Sequence, residues 1–154
     1  MGSDIKNLIG SDPHLDMDSI VFNDYTIRNG GGYTLPADSS LPGQQFIISY
    51  WNRDSSIFRV FSKHKNSGSS EDGIVTDILE IKKEDLGKED IIVEGSCYTP
   101  KSDPEIIAIV KQATGNPEFF YKIKKAWRAN RKTGKFEKVK AGKIKKCLNE
   151  SYGI

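Results

Sequence analysis

The chain has 154 residues and a formal net charge of +2, with 36% hydrophobic and 29% charged side chains. That leaves room for one domain with a core of its own. Its longest apolar run, Ile106 to Val110, is far shorter than the roughly 20 residues a membrane-spanning helix needs. Glycine and proline together contribute 20 residues, which excludes collagen-like and wholly disordered chains.

The small net charge hides an asymmetry. Residues 1–100 carry 9 Lys/Arg against 16 Asp/Glu, whereas residues 101–154 carry 14 against 5. Such a split fits either a basic face for an anionic partner or acidic and basic halves of one fold that offset each other.

Residues 1–19 are polar and Asp-rich, with Pro13 as a breaker, and read as an N-terminal arm. Within it Asp12, His14, Asp16 and Asp18 alternate, as ligands on one side of an extended segment would. They do not make a calcium loop, because the central Gly and the twelfth-position Glu are missing, and the reading is a solvated acidic arm. Residues 20–22 and 25–27 are β-prone and separated by Asn23-Asp24, a bulge or tight turn. Gly30-Gly31-Gly32 follows. It matches neither GxGxxG nor GxxxxGK[ST], so these glycines serve backbone conformation rather than phosphate binding.

Gln45 to Trp51 and Ile57 to Lys63 are β-rich runs around a polar five-residue break, a hairpin signal. Residues 65–73 form a hydrophilic connector. Ile74 to Ile81 reads as a strand from its β-branched content. Ile91 to Tyr98 and Glu105 to Lys111 read as a second hairpin around Thr99 to Pro104. Asn116-Pro117-Glu118 supplies an N-cap residue, a first-turn proline and an acid, and Phe119, Ile123 and Ala126 follow at helical spacing. These signals predict a helix at about 116–126. Thr133-Gly134 between Trp127 to Asn130 and Phe136 to Val139 predicts a hairpin closed by a left-handed glycine. Ile144 to Leu148 reads as the last strand.

The fold expected is therefore α+β: a single domain over 20–154, mostly antiparallel sheet built from hairpins, with one helix at about 116–126. Its core should include Trp51, Phe58, Phe61, Ile107, Ile109, Phe119, Ile123 and Trp127. The last third of the chain has three recognisable stretches, Ile106 to Lys111, Trp127 to Phe136, and Ile144 to Gly153. Over these it resembles small uncharacterised bacterial proteins of unknown function, a resemblance that implies no activity.

Cys97 and Cys147 are the only cysteines. Without CxxC spacing, a zinc site would need both histidines from scattered positions. One disulfide and two free thiols both fit the count; both cysteines lie in β-prone runs, and the expectation is that they come close enough to bridge. That pairing, with the Met1-Gly2-Ser3 start, favours an exported location over a cytoplasmic one. Cys97 lacks a nucleophile-elbow frame, and a Cys97–His64–Asp arrangement has no support in spacing. The strongest functional signal lies between Tyr121 and Cys147, where twelve Lys/Arg face one acid, Glu137. Lys122, Lys124, Lys125, Arg128, Arg131, Lys132 and Lys135 are the candidate anion-binding residues. Trp127 and Phe136 flank a short turn and read as hairpin anchors rather than base-stacking platforms. No RNA-binding or zinc-finger motif accompanies them. The reading is a non-catalytic binding or interaction module for a protein partner, with no cofactor, no metal and no membrane span. A basic surface for nucleic acid or another polyanion is the alternative, and an enzyme without a visible motif the third.

Overall fold

The computed structural model describes residues 2–11, 19–22, 25–64, 73–112 and 114–152. The Asp12 to Asp18 ligand series, the Asn23-Asp24 step and connector residues 65–72 lie outside the described residues. The described chain forms two compact units, residues 1–85 with 131–136, and residues 86–130 with 137–154.

The first unit is one antiparallel sheet whose strands follow in chain order: β1 (Ser19–Phe22), β2 (Tyr25–Thr34), β3 (Gln45–Arg53), β4 (Ser56–His64) and β5 (Gly73–Lys82). The expected hairpin at 45–63 is β3 and β4, paired without a break from Gln45↔His64 to Arg53↔Ser56. β4 is buried along nearly its whole length. It lies between two long neighbours, so apolar side chains fill both of its faces. Trp51, Phe58, Val60, Val75 and Ile78 form one cluster, completed by Ile5 from a 3-10 helix over Gly2–Leu8. Gly10 N donates to Val75 O and Val75 N to Ser11 O, at 2.7 and 2.9 Å. These bonds fasten residues 5–11 to the sheet, within the segment read from sequence as an arm.

The glycine run has a steric explanation. The β2–β3 register shifts between Asn29 and Gly32. Gly31 has φ +101°, and a Cβ on Gly32 would lie 2.4 Å from Ile48 O. A bulge and a close backbone approach therefore account for two of the three glycines.

The second unit holds β6 (Asp90–Glu94), β7 (Cys97–Tyr98), β8 (Ser102–Asp103), β9 (Ile106–Lys111), β10 (Phe119–Phe120), β11 (Ile123–Asn130) and β13 (Lys146–Leu148). β12 (Lys135–Val139) precedes β13 in the chain, and its first two residues belong to the first unit. Two sheets result, with strand orders β12-β11-β9-β6 and β10-β13-β7-β8. Between them Ile106, Ala108, Val110, Phe120, Ala126, Ile144, Cys97 and Cys147 make a single buried cluster.

The expected α+β class is corrected to antiparallel β. Among the described residues there is no α-helix, only three short 3-10 segments. The segment at 116–126 is extended, contributing β10 and the start of β11. The cause is tertiary. β9 is a run of five buried apolar residues that needs a hydrogen-bonded neighbour on each side, and β6 supplies only one. β11 supplies the other, pairing Ile123↔Val110 through Arg128↔Ile106, and sheet pairing outweighs the local preference. The capping signal is used differently as well. Asn116 Oδ1 accepts from Asn149 Nδ2 at 2.8 Å, and Pro117 O accepts from the same amide.

The Thr133-Gly134 turn carries its left-handed glycine, φ +73°. Around it Phe136 N donates to Asp77 Oδ2 at 2.8 Å, and the Phe136 ring lies 5.3 Å from Phe61. Of the expected core, Trp51, Phe58, Phe61, Ile107 and Ile109 are buried. Phe119, Ile123 and Trp127 are only partly so.

Candidate functional site

The sheet β10-β13-β7-β8 is built from strands of two or three residues, too short to persist without a cross-link. Cys97 and Cys147 face each other in the β7–β13 register and are disulfide-bonded, with an S–S distance of 2.08 Å and Cα atoms 3.9 Å apart. Both are fully buried. Alternation along the strands then separates two faces. Phe120, Cys147 and Cys97 point into the core, while Phe119, Lys146 and Tyr98 occupy the opposite face.

That outer face is aromatic. Tyr98 and Phe119 have centroids 6.0 Å apart at 78°, and Phe119 and Tyr121 6.4 Å apart at 56°. Lys146 Nζ lies 3.9 Å from the Phe119 centroid and 5.3 Å from that of Tyr98, a cation between two rings. Tyr121 is 67% exposed. Tyr152 is the other large exposed ring among the described residues, at 53%.

Pro117, Phe119 and Tyr121 line a groove of about 640 Å³ together with Lys111, Gln112, Thr114, Glu89 and Lys122. Backbone bonds tie these segments together, Lys111 N to Lys122 O at 2.9 Å and Gln112 N to Glu89 O at 2.7 Å. The segment before Phe119 is held by Asn149, which is buried. Its amide nitrogen bonds Asn116 and Pro117, its backbone N–H donates to Glu118 O, and its Oδ1 accepts from Ser151 N. A second hollow of about 560 Å³ shares Glu89, Lys111 and Lys122 and runs on to Lys88, Asp90 and Lys124.

The seven candidate anion-binding residues are divided. Lys122, Lys124, Lys125 and Arg128 belong to the second unit; Arg131, Lys132 and Lys135 belong to the first. Four are engaged within the protein. Lys124 Nζ sits 2.6 Å from Asp90 Oδ2. Arg128 clamps two acids, 2.7 Å from Asp103 Oδ2 and 3.0 Å from Glu105 Oε1. Arg131 donates to Pro36 O and Lys135 Nζ to Thr76 O. Lys122 alone of the set lines the main groove.

These contacts shift the acids. Burial pushes the Asp103 carboxyl up, but hydrogen bonds from Arg128 and Thr99 outweigh it and hold the group below its ordinary value. The Lys124 hydrogen bond, with Gly87 N, lowers Asp90. In the first unit, Ser40 donating through its side chain and backbone lowers Asp38, with smaller contributions from Arg131 and Lys132.

With its sulfur bonded to Cys147, Cys97 has no thiolate to act as a nucleophile. Among the described residues no group of three or more His, Cys, Asp or Glu is placed to hold a metal ion. No described helix is long and apolar enough to cross a membrane.

Of the residues that line the groove, the sequence marks Lys122 as a candidate anion-binding residue, Phe119 as core and Pro117 as a helix start, but not Tyr121. Pro117, Phe119 and Tyr121 recur every second position, with Phe120 pointing the other way. That strand period was present but was overridden by the helix-capping signal. Comparison with protein-family models, with curated proteins and with solved structures returned no match.

Proposed function

We propose that this protein is a non-catalytic binding module whose recognition surface is the groove lined by Pro117, Phe119, Tyr121, Lys122, Lys111, Gln112 and Thr114. The observation that carries the reading is Tyr121, a ring 67% exposed at the edge of a concave surface that already contains Phe119. Such a ring offers large contact area at low entropic cost, with a hydroxyl to orient the partner. The volume is of ordinary ligand-binding size, and the lining combines apolar rings with a few polar groups. The Cys97–Cys147 bridge fits an exported protein, since structural disulfides persist in oxidising compartments.

The test is a thermal-shift panel of proline-rich peptides, neutral oligosaccharides and mononucleotides, run on the protein and on Tyr121→Ala. A bound ligand raises the melting temperature by mass action. A shift seen with the parent and lost in Tyr121→Ala, with the ligand recovered chemically unchanged, supports the reading. A shift of equal size in both proteins, or turnover of the ligand, contradicts it.

A second reading, a basic surface for nucleic acid, draws on the cation-rich stretch 121–147. The internal partners of Lys124, Arg128, Arg131 and Lys135 weigh against it.

A further inference from the structure

Resting on that groove as the recognition surface, we infer that its ligand is a small organic anion. The anionic group, a phosphate or a carboxylate, lies between Lys111 and Lys122, and a planar ring joined to it rests against Tyr121. Three observations converge on this chemistry.

The first is a pair of like charges set opposite each other. The β9–β11 register includes Val110↔Ile123, and the bond from Lys111 N to Lys122 O at 2.9 Å extends it by one step. Residues directly opposite in an antiparallel pair share a face, with Cβ atoms about 4.5–5.5 Å apart, and like charges there repel. Both lysines line the main groove, and both line the second hollow. An anion between two such ammonium groups replaces one repulsion with two charge-assisted attractions.

The second is that the nearby acids do not supply this anion. Asp90 is committed elsewhere, accepting from Lys124 Nζ at 2.6 Å and from Gly87 N at 2.7 Å. Glu89 reaches only Lys111, at 3.5 Å, and both side chains are exposed, so the pair is weak and gives way readily. Lys122 has no ion-pair partner among the described residues.

The third is the ring beside the charge. Tyr121 precedes Lys122 in the chain, lines the same groove and is 67% exposed. Lys146 Nζ covers one face of Phe119 at 3.9 Å, which leaves Tyr121 as the more open of the two rings. Its face offers a planar ligand contact at low entropic cost. Gln112 and Thr114 add uncharged hydrogen-bonding groups to the lining.

Isothermal titration calorimetry on the full, oxidised chain at low salt tests the inference. The probes are phenyl phosphate, benzoate, inorganic phosphate, which lacks the ring, and benzyl alcohol, which lacks the charge. Phenyl phosphate is expected to bind about tenfold or more tightly than inorganic phosphate or benzyl alcohol. Benzoate binding more tightly than phenyl phosphate would support the inference with a carboxylate as the anionic group. Lys122→Gln and Lys111→Gln are each expected to weaken phenyl phosphate about tenfold and to leave benzyl alcohol unchanged. Tyr121→Ala is expected to reduce phenyl phosphate to the level of inorganic phosphate. Positions 111, 121 and 122 are exposed, and the three variants should melt at the parent temperature.

Benzyl alcohol binding as tightly as either ring-bearing anion, and lost in Tyr121→Ala, overturns the anion inference and leaves the groove reading standing. Anion binding that persists unchanged in Tyr121→Ala, Lys111→Gln and Lys122→Gln overturns the groove reading and the inference with it. Inorganic phosphate binding as tightly as phenyl phosphate, or no binding by either ring-bearing anion, overturns the inference.

Discussion

Removing the Cys97–Cys147 bridge is the perturbation whose cost follows most directly from the structure. The two cysteines are 50 positions apart in sequence. In the chain-entropy description, closing a loop of that length restricts the unfolded chain by about 4 kcal/mol at room temperature. The bridge also joins two of the four short strands under the aromatic face, β7 and β13, while β10 pairs with β13 through Phe120↔Cys147. Cys97→Ala with Cys147→Ala is therefore expected to destabilise the protein by about 4 kcal/mol, and to lower its melting temperature by roughly 8–16 °C for a chain of this size. Urea unfolding of the oxidised parent and the double variant measures the difference directly. Dithiothreitol-treated parent should fall with the variant, which separates loss of the bond from loss of the sulfur atoms. A difference below about 1 kcal/mol would refute the reasoning, because β7, β10 and β13 would then hold together without their cross-link.

Further outcomes follow from individual contacts. Arg128→Ala should cost roughly 1–3 kcal/mol in urea unfolding, since it strands the half-buried Asp103 and Glu105 carboxylates; a loss near zero would show the clamp to be incidental. Asp103 lies below its ordinary value when folded, so its contribution is present above the unfolded aspartate value and disappears as pH falls through the folded one. Stability should accordingly drop as pH falls through and below the ordinary aspartate range, and Asp103→Asn should flatten that drop, whereas an unchanged slope would contradict a stabilising role for the Asp103 carboxylate. Gly134→Ala, at φ +73° with its new Cβ 3.2 Å from Thr76, should destabilise by roughly 1 kcal/mol or more in the same assay, and a neutral or stabilising result would contradict the left-handed turn. A mixed-sequence oligonucleotide titrated at about 50 and 200 mM salt should show no steep loss of affinity; a thousandfold weakening over that range would revive the polyanion reading.

The sequence made the long, local elements legible. The 45–63 hairpin and the Thr133-Gly134 turn depend on neighbours within a few residues, and turn chemistry announces them. The short strands of the disulfide sheet are different. Cys97-Tyr98 and Phe119-Phe120 pair with the distant Lys146 to Leu148, Ser102-Asp103 pairs only with nearby Cys97-Tyr98, and nothing local distinguishes two extended residues from a loop. The same dependence caused the helix error. Asn116, Pro117 and Glu118 have the composition of a helix start, but Asn149, more than thirty residues away, takes the hydrogen bonds that capping would have used. Once 116–126 is read as helix, Phe119 becomes core and Tyr121 disappears from view. Read with a period of two, the same residues give the outward row that lines the groove. The basic stretch was legible as charge and illegible as surface, since only coordinates reveal that Arg128 and Lys124 are held by Asp103, Glu105 and Asp90.

The central claim is that recognition takes place in the groove of the second unit. It is tested most directly by titrating the isotopically labelled full chain in turn with proline-rich peptides, neutral oligosaccharides and mononucleotides and following backbone amide resonances. The account predicts saturable shifts concentrated at Gln112, Thr114, Phe119, Tyr121 and Lys122, with the amides of β3, β4 and β5 unmoved. Shifts centred instead on residues 131–136 or on the first sheet, or none with any of these probes at saturating concentration, would contradict it.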